Sequence, residues 1–155
     1  MYCRLIVLEN HGAFKLIWII RLYLLLMGII YGLIGIWALL DPMFGALELN
    51  YPSFLDAVGL SVSSQIGYSE IAGIYGGLNL CIGIMCLVGI FKSNIGIFSI
   101  KFITFLVASI ALGRVLFSLI PTTPGFYNQY FVFEIAAFVI GVALLVLNKR
   151  LNKIS

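Results

Sequence analysis

Four predominantly apolar runs, each long enough to cross a bilayer, constrain this 155-residue chain more than any other feature. A spanning helix needs about 20 apolar residues, and the runs cover about 16–40, 71–91, 97–120 and 130–147. In hydrocarbon every backbone N–H and C=O must be satisfied within its own segment, so such runs fold as helices. The runs are continuous rather than alternating, which argues against a membrane barrel. Charged residues make up 10% of the chain and hydrophobic ones 63%, where a soluble domain carries about 25% charged residues. Too little polar side chain remains to cover a water-facing globule, which excludes a soluble enzyme. The expected fold is all-α, a single integral membrane four-helix bundle over residues 1–155, undivided by linker or repeat.

Basic residues set the expected orientation. Arg4, Lys15 and Arg21 precede or open the first run, Lys92 and Lys101 flank the second connection, and Lys149, Arg150 and Lys153 close the chain. Residues 41–70 and 121–129 contain no Lys or Arg, while Asp41, Glu48, Asp56 and Glu70 fall in the first of these connections. Eight of the nine basic residues thus share one side, which places both termini in the cytoplasm. The first run is too long for a signal-peptide core and is expected to stay uncleaved. It should stop at Asp41-Pro42. Within the first outer connection, residues 53–60 mix apolar and acidic positions as a short interfacial helix would.

Cofactor chemistry finds few candidates. Cys3, Cys81 and Cys86 match neither a CxxC pair nor a zinc knuckle, and His11 is the single histidine. Bis-histidine haem ligation and a His-rich metal site within one chain are therefore excluded. No catalytic residue, metal or cofactor is expected, and the net charge of +3 is not clustered as a nucleic-acid surface requires.

Helices in lipid pack through small residues rather than through hydrophobicity. Gly28 and Gly32 on the first run, Gly73 and Gly77 on the second, and Ala137 and Gly141 on the fourth are spaced four apart. At helical period each pair shares a face, so these are the expected contacts. Packing within the monomer is the simpler use of such faces, with a homo-oligomer as the alternative.

One charge breaks the orientation pattern. Arg114 lies seven residues before Pro121, about 10 Å inside the outer end of the third span. A charge left in hydrocarbon costs at least about 2.5–3.5 kcal/mol, so Arg114 requires a partner or a route to the surface. Glu134, near the outer start of the fourth span, is the most economical partner; Glu70 opens the second at a similar level. Glu70, Gly73 and Gly77 are expected on the face turned to this interior, with Tyr75 and Asn79 on the opposite one. Arg114 and Glu134 fit either an architectural ion pair or a ligand site.

The segment Ser69-Glu70-Ile71-Ala72-Gly73-Ile74-Tyr75-Gly76-Gly77-Leu78-Asn79-Leu80 resembles the hallmark of small bacterial four-helix membrane proteins catalogued as a domain of unknown function, with DoxX-like proteins as distant relatives. Gly113-Arg114 and Glu134 also fit that pattern, while Ala72 stands where Arg is common. The resemblance implies a bacterial inner-membrane address and no set activity. Three functions stay open. One is an accessory subunit of a larger membrane complex, or a binder of lipid or a small hydrophobic molecule. Another is an oligomeric transporter or channel component using Arg114 and Glu134. The third, by analogy with DoxX-like proteins, is a quinone-linked redox accessory protein.

Overall fold

The computed structural model describes residues 2–46, 52–119 and 128–154, with side chains over 14–42, 52–119 and 128–151. Cys3, Arg4, His11, Glu48, Lys153 and most of the 121–129 connection lie outside the described side chains. Six α-helices follow in order: α1 (Tyr2–Ala46), α2 (Phe54–Val58), α3 (Gln65–Ile71), α4 (Asn79–Phe91), α5 (Ser93–Phe117) and α6 (Gln129–Ile154). A π-helical segment, Ala72–Leu78, joins α3 to α4. No strand occurs among the described residues. Four helical stretches are long and apolar enough to cross a membrane: Phe14–Pro42, Gln65–Phe91, Ser93–Phe117 and Gln129–Leu151.

These boundaries correct two expectations. α1 does not stop at Asp41-Pro42 but continues to Ala46 with Pro42 inside it. Proline removes one N–H and crowds the preceding turn, yet later residues can keep their own bonds. At the other end, α5 stops at Phe117 rather than near residue 120, with Ser118 as its C-cap. Arg114 is therefore about 4.5 Å from the last helical residue, shallower than the proline spacing implied.

Helix ends are set locally. Ser64 Oγ accepts from Gly67 N–H (3.1 Å) to cap α3, and Asn128 Oδ1 accepts from Phe131 N–H (3.0 Å) to start α6. Lys92 alone separates α4 from α5, in an extended conformation. So tight a turn needs two glycines: a Cβ on Gly89 would meet Gly96 Cα at 2.8 Å.

Adjacent long helices pack in chain order, with α1 on α4, α4 on α5 and α5 on α6, while α1 and α6 touch more sparingly. Leu24, Cys86, Ile100, Ile103 and Val107 form the fully buried centre. The α1–α4 crossing is backbone against backbone. A Cβ on Gly83 would lie 2.7 Å from Gly32 N, and one on Gly28 would lie 2.9 Å from Leu87 Cδ2. Gly76 faces Leu39 in the same seam. Gly73 is exposed with nothing within 4 Å, and Gly77 meets only the Ala72 carbonyl at 3.7 Å. The expected Gly73–Gly77 face is thus replaced by Gly76 and Gly83. A π-helix closes its bonds from i to i+5, so residues four apart no longer stack on one face there.

Candidate functional site

The end of the bundle opposite the chain termini carries α2 and most of the polar side chains with specific partners. Asp41, buried near the end of the first span, accepts the Phe54 N–H through Oδ1 (2.7 Å) and the Ser53 hydroxyl through Oδ2 (3.4 Å). The N-cap Ser53 makes no side-chain cap bond of its own, so Asp41 supplies from α1 the acceptor that α2 lacks locally. Phe54 is buried between Trp37 and Tyr75, with ring centroids 5.5 and 5.6 Å away. Trp37 Nε1 donates to the Pro52 carbonyl (3.1 Å). Gly59 closes α2 at φ 69°, in the left-handed region that favours glycine.

From α2 the contacts lead to the ion pair. The Tyr130 hydroxyl donates to the Ala57 carbonyl (2.9 Å), so α2 is tied to α6 as well as to α1. The Arg114 guanidinium lies 5.9 Å from the centroid of the Tyr130 ring. Arg114 Nε donates to both Glu134 oxygens at 3.0 Å. The arginine side chain remains 36% exposed, whereas that of Glu134 is 8% exposed. Its two Nη groups engage no acceptor among the described residues. The guanidinium therefore pairs with a buried carboxylate through Nε while the arginine side chain stays partly exposed.

The remaining candidates separate from this centre. Glu70 is exposed and forms no ion pair among the described residues, so the interior expected to unite it with Arg114 is not formed. Tyr75 serves α2 through Phe54. Asn79 donates through Nδ2 to the carbonyls of Ile74 (3.2 Å) and Tyr75 (2.8 Å), binding the π-helical segment to itself. Gly141 has no room for a side chain against Thr104, which makes it a packing position between α6 and α5. No group of three or more potential metal ligands occurs among the described residues.

Two phenols escaped the sequence patterns. Tyr23 is buried and donates to the Ala137 carbonyl (3.2 Å), bridging the sparse α1–α6 seam one turn from Glu134. Tyr31 is buried in the same core as Cys86, and its hydroxyl makes no hydrogen bond among the described residues. Tyrosine counts as apolar in a hydropathy run; the signal available was their spacing of eight, which repeats one helical face. A shallow apolar groove of about 440 Å³ runs along α6 past Val132, Ile135, Ala136, Val139 and Ile140. Those positions alternate with buried Glu134, Ala137, Gly141 and Leu144, so the groove faces away from the ion pair.

Comparison with known protein families, with characterised proteins and with solved structures gives no match.

Proposed function

We propose that this chain is a non-catalytic multi-pass membrane protein that binds an amphipathic molecule laterally, with its polar head on the Arg114–Glu134 pair. One observation carries the proposal: Arg114 bonds Glu134 through Nε, its side chain stays partly exposed, and its Nη groups engage no acceptor among the described residues. A purely architectural pair would be better served by the two-pronged engagement that carboxylates accept from arginine. The four candidate spans supply the membrane setting. Residue placement supplies the orientation: the basic residues gather at the end that holds the termini, which is assigned to the cytoplasm. α2 then rests in the opposite interface, and the resemblance at residues 69–80 supports a bacterial inner-membrane address.

The test is identification of the molecules that remain bound after purification in mild detergent. The wild-type chain is expected to retain an amphiphile in fixed ratio, and Arg114→Leu/Glu134→Leu to lose it while staying folded. Equal retention by both proteins overturns the proposal.

A further inference from the structure

We infer that the head bound at Arg114 is the phosphodiester of a zwitterionic phospholipid, its ammonium turned toward Asp56, an assignment that rests on the amphiphile-binding function proposed above. The donors come first. With Nε held by Glu134, the two Nη groups present a planar set of N–H bonds, and that fork matches paired phosphate oxygens.

Depth comes next. α5 has 25 residues, so it is about 37 Å long, some 7 Å more than the roughly 30 Å hydrocarbon core. Divided between two ends, the excess carries the last 3–4 Å of each end past the hydrocarbon, roughly. Arg114, about 4.5 Å from the end, therefore stands at the boundary where lipid phosphates and ester groups lie.

Charge selects among phosphates. Arg114 is the sole basic residue assigned to this end, and Glu134 already balances it. Asp56 and Glu70 are exposed and form no ion pair among the described residues. An anionic phospholipid would add uncompensated negative charge there. A zwitterion adds none, and its ammonium meets the acidic side. Asp56 is the acid tied to Arg114 through contacts: it precedes Ala57, whose carbonyl holds the Tyr130 hydroxyl, and the Arg114 guanidinium lies against the Tyr130 ring.

The test is native mass spectrometry of the full chain in a neutral detergent, titrated separately with phosphatidylethanolamine, phosphatidylglycerol, diacylglycerol and inorganic phosphate. Lys101→Gln serves as the control for binding at the opposite, basic end. Wild type should hold phosphatidylethanolamine several-fold more tightly than phosphatidylglycerol. Arg114→Gln should abolish that binding, and Lys101→Gln should leave it unchanged. Asp56→Asn, on an exposed helix position, should erase the preference, and it keeps the test decisive if Arg114→Gln does not fold.

Arg114-dependent binding that favours phosphatidylglycerol, or that takes diacylglycerol equally well, overturns the headgroup assignment and leaves amphiphile binding standing. Inorganic phosphate binding as well as the lipids do overturns the lipid source. No Arg114-dependent binding of any probe overturns this assignment and the function beneath it together.

Discussion

Asp41 shows how one side chain can hold an element that lacks its own cap. Its carboxylate takes the first N–H of α2 and the Ser53 hydroxyl, where a local Ser or Asp would normally act. Asp41→Ala should cost about 1 kcal/mol, the usual value of a lost N-terminal cap. In a Trp18→Phe background Trp37 becomes the single tryptophan, edge-to-face with Phe54 and bonded to Pro52. Its emission should shift to the red in Asp41→Ala as α2 loosens; an unchanged spectrum would mean that Asp41 does not hold α2. At this scale, Arg114 and Glu134 were legible because a charge inside an apolar run has few places to go. Asp41 was not, since an acid beside a proline reads as a stop signal, and its acceptor role depends on a chain reversal that the local pattern does not encode.

Among the elements, the second span departs most from a regular helix. Its π-helical segment changes which glycines face α1, so Gly76 and Gly83 make the close approach while Gly73 faces open space. Gly83→Ala would push a methyl into the Gly32 backbone, which cannot yield as a side chain can. A loss of about 1–3 kcal/mol is expected, the range for an overpacked contact. Gly73→Ala should fall within about 0.5 kcal/mol of wild type. Thermal unfolding in detergent compares the two, and equal losses would place the helix contact elsewhere. Gly28 and Gly141 were readable because α1 and α6 keep the period of 3.6 that the spacing assumes. A Cβ on Gly32, by contrast, would meet nothing within 4 Å, and the second tight position on α1 is Gly35. A π-helix carries no comparable periodic mark, so Gly73 and Gly77 were assigned to a face they do not share.

For the whole molecule, four apolar runs of spanning length leave little choice but a helical bundle, and its existence was legible for that reason alone. How the bundle closes was less so. The α1–α6 seam is sparse, and it is joined by Tyr23 to Ala137 within the spans and by α2 across the end. Reporter fusions at residue 155 and at the exposed Gly59 should score on opposite sides of the membrane; the same side for both would remove one crossing. The central claim is that Arg114 and Glu134 act as one energetically coupled pair across α5 and α6. Arg114→Leu alone should destabilise by on the order of 1–3 kcal/mol, less than a fully buried pair because the guanidinium is partly exposed. A double-mutant cycle on unfolding in detergent, with Arg114→Leu, Glu134→Leu and both together, tests the claim most directly. The double variant should recover most of the single loss, giving a coupling of about 1–2 kcal/mol. Single losses that simply add would contradict it.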